Sequence, residues 1–197
     1  MRTRFIRVLC AAVLILLMLP LDASAATPSG THTIVVDSKD VATLKQLTQS
    51  GAKLLVDYGA FSLWKTNEPQ HQAVVARASV KTRDDFGVVH LRGGASVNTI
   101  TGASPVASAV RQSKTSDFQF WMVQFVGPIK PAWLAKLRKM GIEIVAYMPN
   151  NAYVVWLDGA QLTQLESLTK SDPTVQWTDA YHPAYRIAPA LQNTTVT

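Results

Sequence analysis

From Phe118 to Tyr185, the pattern of apolar and polar positions predicts six elements in the order strand, helix, strand, strand, helix, strand. In chain order they are FQFWMVQF, PAWLAKLRKMG, a hairpin within IEIVAYMPNNAYVVWLD, AQLTQLESLTKS and VQWTDAYHPAY. The strands are rich in β-branched and aromatic residues, whereas the helices have apolar residues at three- to four-residue spacing. This order of elements is that of a split βαβ, or ferredoxin-like, module.

The first half of the chain, after an apolar N-terminal segment, has the same order of predicted elements. They are a strand at 32–36, a helix from Val41 that stops at Gly51, two strands within 53–65, a helix from Pro69 to Ala78 and a strand at 86–91. Both hairpins contain the pattern Ala, aromatic, any residue, aliphatic, Trp, which places Trp64 and Trp156 at equivalent positions. We therefore predict an α+β protein of two tandem ferredoxin-like (βαββαβ) modules, with antiparallel sheets and helices on one face.

Changes in composition give the predicted domain boundaries. Residues 1–25 are a predicted signal peptide, 26–92 the first module, 93–116 a linker rich in Gly, Ser, Thr and Ala, 117–187 the second module and 188–197 a flexible tail. Within the linker, the run SVNTI is compatible with an edge strand.

The strands of the second module are apolar on both faces. In its first strand, large apolar residues occupy both the even and the odd positions from 118 to 125. Because helices cover only one face of such a sheet, we expect the other face to carry aromatic and aliphatic side chains into solvent. An exposed patch of that kind normally has a partner. The alternative is that the two modules bury these faces against each other.

The N-terminal segment has the features of an export signal. Three arginines precede the apolar run Val8–Leu19, which is shorter than the ~20 residues of a membrane-spanning helix. A small-residue A-x-A sequence at 23–25 follows and predicts cleavage between Ala25 and Ala26. We therefore expect a protein of the periplasm, the cell envelope or the exterior, without a stable membrane anchor.

Charge and cysteine content narrow the classes of partner. Loss of residues 1–25 reduces the formal net charge of +6 to about +4, without a clustered basic stripe, so we predict no nucleic-acid binding. The single cysteine, Cys10, lies in the predicted signal peptide, which leaves no disulfide framework.

The sequence contains no pattern typical of an enzyme. The four histidines, His32, His71, His90 and His182, lack the H-x-x-x-H and H-E-x-x-H spacings of metal sites, so we predict no metal site. The serines lack the G-x-S-x-G nucleophile elbow, and the carboxylates suggest no catalytic pair. Five tryptophans are compatible with a carbohydrate platform, but the equivalent positions of two of them favour a structural role. We predict no cofactor and no catalytic activity.

Four short motifs in the second module carry a resemblance to a known family. They are V-Q-F-x-G-P-I at 123–129, G-x-E-I at 141–144, Y-x-P-x-N-A-Y at 147–153, and V-x-W at 175–177 followed by Y-H-P-A-Y at 181–185. With them, the second module resembles the fervidolysin-type N-terminal prodomains of exported bacterial subtilisin-like serine proteases. Those prodomains are related in fold to the subtilisin propeptide and peptidase-inhibitor modules.

The resemblance implies a module whose open sheet face packs on a protease, either to template its folding or to block its active site. The segment from Tyr181 onward would then run as an extended strand toward the substrate cleft. The residues that the resemblance assigns to docking are Tyr181, His182, Pro183 and Tyr185, followed by Tyr147 and Tyr153.

The chain departs from the family because the protease domain and its catalytic triad do not occur in these 197 residues. We therefore expect a non-catalytic, prodomain-like protein that binds a subtilisin-like protease as inhibitor or folding aid. Two alternatives stay open. In the first, the chain is an interaction module that binds peptidoglycan or protein of the cell envelope. In the second, it is the N-terminal fragment of a truncated protease precursor.

Overall fold

The computed structural model describes residues 30–91, 94, 96–101 and 113–186. The predicted signal peptide with its cleavage site, most of the linker and the predicted tail lie outside these residues. The described chain has an α+β fold with antiparallel sheets, which confirms the predicted class. Among the described residues, no helix has the length and apolar character needed to cross a membrane.

The first half forms a four-stranded antiparallel sheet. Its strands are β1 (Thr31–Asp37), β2 (Lys53–Asp57), β3 (Phe61–Asn67) and β4 (Val80–Thr82), in the spatial order β2-β3-β1-β4. Helix α1 (Val41–Gln49) follows β1, and helix α2 (Glu68–Gln72) follows β3. As predicted, α1 ends before a glycine with positive φ, since Gly51 has φ 75°.

Two element predictions in this half are wrong. The strand that closes the first sheet is β4, not residues 86–91, because Asp84–Gly87 form a 3-10 turn that leads the chain away from the sheet. The following β5 (Val88–His90) pairs instead with β6 (Ser96–Asn98) as a two-stranded hairpin. The predicted second helix also ends early, because two turns, in which Arg77 N–H bonds to Val74 O and Val80 N–H to Arg77 O, lead the chain to β4.

The second half forms another four-stranded antiparallel sheet with the predicted elements. Its strands are β7 (Gln119–Phe125), β8 (Glu143–Met148), β9 (Ala152–Leu157) and β10 (Val175–Ala180), in the order β10-β7-β9-β8. Helix α3 (Pro131–Lys139) follows β7, and helix α4 (Gly159–Ser171) follows β9. A capping box between Asp158 and Gln161 begins α4, and Gly141 (φ 76°) follows the end of α3.

Each sheet packs its helices on one face. In the first half, Ile34, Val36 and Trp64 meet Leu47 of α1 and Val74, which follows α2. In the second half, a larger cluster joins the sheet to α3 and α4. Its principal members are Trp121, Val123, Phe125, Trp133, Leu137, Val155, Leu162 and Leu165.

The two outer sheet faces are covered, which corrects the prediction of a solvent-exposed aromatic face. The outer face of the first sheet packs into the helix-side cluster of the second half through Val56 and Leu63, so the two outer faces are not buried against each other as the alternative expected. The outer face of the second sheet is instead covered by the β5–β6 hairpin and by the chain after β10. The residues buried there include Val89, Leu91, Val97, Met122, Val154, Trp177 and Tyr185.

The halves meet closely at Gly127. A Cβ at this position would lie 2.8 Å from Leu63 Cδ2 and 3.0 Å from Tyr58 Oη, so only glycine lets the two backbones approach this far. Tyr58 Oη donates a hydrogen bond of 2.8 Å to Pro128 O, and burial raises the pKa of Tyr58 to about 12. Lys130 Nζ donates to Asp57 O at 2.6 Å across the same contact.

The two tryptophans that the sequence pattern aligns are not structurally equivalent. Trp64 faces the helices of its sheet and lies in the core with Ile34 and Leu47. Trp156 lies opposite Phe120 and contacts that ring with centroids 4.4 Å apart, on the face away from α3 and α4. The two halves therefore share the order of their elements. The tryptophan of the five-residue pattern, however, faces the helices in the first half and the opposite side of the sheet in the second.

Candidate functional site

An apolar groove runs along the edge of the second sheet. It has a volume of about 480 Å³. Its lining consists of His90, Phe120, Val145, Ala146, Tyr147, Met148, Pro149, Val154 and Tyr181. These residues come from β5, β7, β8, β9 and the chain after β10, so the groove exists only in the folded molecule. We call it the edge groove.

Strand β8 forms one wall of the edge groove and is the terminal strand of its sheet, so one of its backbone edges has no partner strand among the described residues. Its pairing with β9 shifts register between Ile144 and Ala146, which leaves Val145 as an extra residue. Val145 and Tyr147 are 47% and 59% exposed. An exposed apolar edge strand is a natural acceptor for an additional strand from a partner.

Three of the predicted docking residues come together on the outer face of the second sheet. The rings of Tyr181 and Tyr185 are 6.1 Å apart, and those of His182 and Tyr185 are 5.2 Å apart. His182 and Tyr185 are buried, with 2% and 3% exposure, whereas Tyr181 is half-buried and Pro183 is exposed. Residues Pro183–Arg186 form a 3-10 turn against the sheet, so this described part of the segment after Tyr181 is not the extended strand that was expected.

The two docking residues predicted on the β8–β9 hairpin form a pair on the opposite face of the sheet. Tyr147 and Tyr153 are cross-strand partners whose rings make an edge contact at 5.4 Å. Tyr153 packs beside the helix-side cluster, and burial raises the pKa of its hydroxyl. The predicted residues thus form two groups, one on each face, and only Tyr147 and Tyr181 line the edge groove.

A second cavity, of about 550 Å³, lies between the first sheet and the end of α4. Three lysines, Lys53, Lys65 and Lys170, line it together with threonines and Gln176. None of the predicted docking residues borders this cavity.

The structure also brings together polar residues that the sequence analysis treated separately. His32 of β1 lies beside Glu68 and His71 of α2, and one potential ligand atom from each lies within 4.8 Å of the other two. The two imidazole rings stack with centroids 4.1 Å apart. We call these three residues the His-Glu-His cluster. Its members were missed because only histidine-to-histidine spacings were considered, and His32 is 36 positions from Glu68.

The ring of His32 lies between two carboxylates. Its Nδ1 is 2.7 Å from Asp84 Oδ2, and its Nε2 is 2.6 Å from Glu68 Oε2. The hydrogen bond with Asp84 raises the pKa of His32 most; partial burial opposes the shift, and the bond with Glu68 adds to it. Hydrogen bonds from Gln72 and then His32 lower the pKa of Glu68.

Most of the second half of the molecule lies within a family match that begins at the last residue of β5. Residues 90–182 match the model of a domain of unknown function, DUF8729. This stretch is slightly less than half of the chain and includes β6 and the whole second sheet with α3 and α4. No curated protein and no solved structure matches the chain.

Proposed function

We propose that the chain consists of two ferredoxin-like modules, residues 30–82 and 119–180. In each half the two strands joined by the first helix are separated in the sheet by the third strand, which is the split βαβ arrangement. The fourth strand lies on the other side of the first. The β5–β6 hairpin is an addition to this plan, and it covers the outer face of the second module.

We propose further that the chain is a non-catalytic, prodomain-like module that binds a subtilisin-like serine protease. The observation that carries the proposal is that Val145 and Tyr147 are exposed on β8, beside the edge groove, at a sheet edge that no strand of the described part of the chain covers. An extended segment of the protease adds to β8 through backbone hydrogen bonds, and its side chains enter the groove. The resemblance of the motifs in the second module supports a subtilisin-like protease as the partner.

The buried members of the predicted docking set have a supporting role in this proposal. Tyr185 and His182 pack beneath Tyr181 and hold it at the rim of the edge groove. Tyr147 and Tyr181 contact the protease directly. Exposed aromatic side chains at the centre of an interface are typical hot spots, because they bury much area at low entropic cost.

The test is a titration of subtilisin-like proteases with the purified chain, with cleavage of a peptide substrate as the readout. We expect stoichiometric loss of activity in at least one protease. The variant Tyr147→Ser is expected to weaken inhibition about tenfold or more, because a hot-spot aromatic contact is lost. Its side chain is 59% exposed, so the fold is expected to persist, as circular dichroism would show.

The matched control is Val41→Ser, which removes a 69% exposed apolar side chain on α1, outside the groove. It is expected to inhibit like the unmodified chain. Equal inhibition by Tyr147→Ser and the unmodified chain would remove the β8 edge from the mechanism. Absence of inhibition across the proteases, with slow digestion of the chain, would overturn the proposed function.

A further inference from the structure

We propose that the His-Glu-His cluster is a binding site for one divalent transition-metal ion of the Zn²⁺ class. His32, Glu68 and His71 are the ligands, and Asp84, Gln72 and Thr82 orient them. The site lies on the first sheet, apart from β8 and the edge groove, so it does not depend on the proposed protease binding.

The ligand set suits zinc. Two imidazole nitrogens and one carboxylate oxygen are a known zinc combination in proteins, with a fourth position left for water. The three donor atoms already lie within 4.8 Å of one another, although they come from two separate elements. Glu68 and His71 are three positions apart on α2, a spacing that places both side chains on one side of a helical turn.

His71 supplies an independent sign of a missing partner. Its side chain is buried, with 8% exposure, and its Nε2 lies 2.8 Å from Thr82 Oγ1. Its Nδ1 is buried and has no hydrogen-bond partner within the described ranges of the chain. A buried polar atom without a partner costs free energy, which coordination of a metal ion by Nδ1 would remove. In the tautomer whose Nε2–H donates to Thr82 Oγ1, Nδ1 has the free lone pair that a metal ion requires.

At His32 the metal ion takes the place of a proton. The 2.6 Å contact between His32 Nε2 and Glu68 Oε2 requires a shared proton when no metal is bound. Bonds of 2.0–2.1 Å to one tetrahedral ion would separate these two atoms to about 3.3 Å. Gly30 leaves room for this change, because a Cβ there would lie 3.1 Å from both atoms.

Each ligand has a partner that fixes its orientation. Asp84 accepts from Thr33 N–H at 2.8 Å through one oxygen and contacts His32 Nδ1 through the other. Gln72 Nε2 donates to Glu68 Oε1 at 2.7 Å, which leaves Oε2 for the ion. Carboxylate-to-histidine pairs of this kind accompany the ligands in most zinc sites.

The proposed ion links β1 to α2, and Asp84 extends the link to the 3-10 turn after β4. The unfolded chain does not hold these residues together, so binding stabilises the folded state. The side chains of His32 and Glu68 are 21% and 22% exposed, which gives the ion a path from solvent.

The test is calorimetric titration of the chelator-treated chain with ZnCl₂, together with thermal melting. We expect one saturable equivalent of Zn²⁺ and a higher melting temperature in its presence. Glu68→Gln and His71→Gln are expected to weaken binding about tenfold or more, and Asp84→Asn within the range of about 10–100-fold. His90→Gln, which changes an exposed histidine outside the cluster, is the matched control and is expected to bind like the unmodified chain.

A second readout separates a metal site from a hydrogen-bonded cluster. Titrations in buffers of different ionisation enthalpy are expected to show release of about one proton per Zn²⁺ near pH 7, since the ion displaces the proton shared by His32 and Glu68. If His71→Gln fails to melt cooperatively, Glu68→Gln decides the test, because it is expected to weaken Zn²⁺ binding about tenfold or more. The absence of saturable binding by the folded chain would overturn the proposal, and so would undiminished binding in Glu68→Gln.

Discussion

Gln124 connects three segments of the chain at a single buried position. Its Nε2 donates to Phe86 O and to Asn150 O, both at 2.9 Å. Its Oε1 accepts from Thr99 Oγ1 at 2.6 Å and from Gln176 Nε2 at 2.9 Å. These bonds attach the chain around the β5–β6 hairpin to β7 and β10, and so keep the outer face of the second sheet covered.

We expect Gln124→Leu to destabilise the protein by about 2–3 kcal/mol, because it removes four hydrogen bonds at a buried position and leaves Asn150 O without the donor that Gln124 supplies. Urea unfolding measures the change. Gln164→Leu, at an exposed position of α4, is the matched control and is expected to change stability by less than about 0.5 kcal/mol. Equal effects of the two substitutions would contradict the role assigned to the buried amide.

Two asparagines form the turn between β8 and β9, within the motif Y-x-P-x-N-A-Y. Asn150 and Asn151 have φ values of 62° and 63°, a conformation that asparagine tolerates better than most residues and that suits a tight hairpin. Asn150 Nδ2 also donates to Val88 O at 2.9 Å. The motif therefore has a structural explanation in the turn and in its contact with the hairpin strand β5.

At the scale of elements, α3 is joined to the end of α4 by one ion pair. Lys136 Nζ lies 2.6 Å from Asp172 Oδ2, and Thr174 donates to Asp172 Oδ1 from both its backbone and its hydroxyl group. Burial of Asp172 raises the pKa of its carboxyl, but the hydrogen bonds from Lys136 and Thr174 outweigh this effect and lower it.

A carboxyl whose pKa is lowered on folding stabilises the protein above its unfolded pKa and loses that contribution as the pH falls through the folded pKa. We therefore expect the stability difference between the unmodified chain and Asp172→Asn to be greatest near pH 6 and to shrink below about pH 4. Urea unfolding from pH 6 to pH 3 measures it. A difference that stays constant over this range would contradict the assignment.

At the scale of the whole molecule, the contact at Gly127 determines how closely the two halves pack. We expect Gly127→Ala to destabilise the protein by about 1–3 kcal/mol, because the added methyl group collides with Leu63 and Tyr58. Chemical unfolding measures the loss of stability.

The control for this prediction is a double-mutant cycle. In a Leu63→Ala background the collision partner is shorter, so the cost of Gly127→Ala is expected to decrease. Strictly additive effects of the two substitutions would show that the crowding at Gly127 is not the cause.

Most elements of this fold could be predicted from local patterns. The alternating strands and the periodic helices of the second half agree with the structure, and Gly51 and Gly141 end their helices as expected. The alignment of Trp64 with Trp156 was wrong because a sequence pattern does not show which face of a strand becomes the core side. A shift of one residue reverses every side chain.

The candidate sites were harder to predict. Tyr147 and Tyr181 do line the edge groove, yet the groove also needs His90 and Phe120, which come from distant strands. The His-Glu-His cluster had one local signal, the three-residue spacing of Glu68 and His71 on a short helix. His32 joins them only because β1 lies next to β3 in the sheet.

By itself, the sequence determined the α+β class, the order of the strands and helices in the second half, and the glycines that follow α1 and α3. These features follow from interactions between near neighbours, such as helical periodicity, capping and turns. Only the tertiary structure decided which segment covers each outer sheet face and which polar residues meet. Those outcomes depend on long-range packing, in which Val89 and Leu91 bury against Met122 of β7 and Val154 of β9 instead of extending the first sheet.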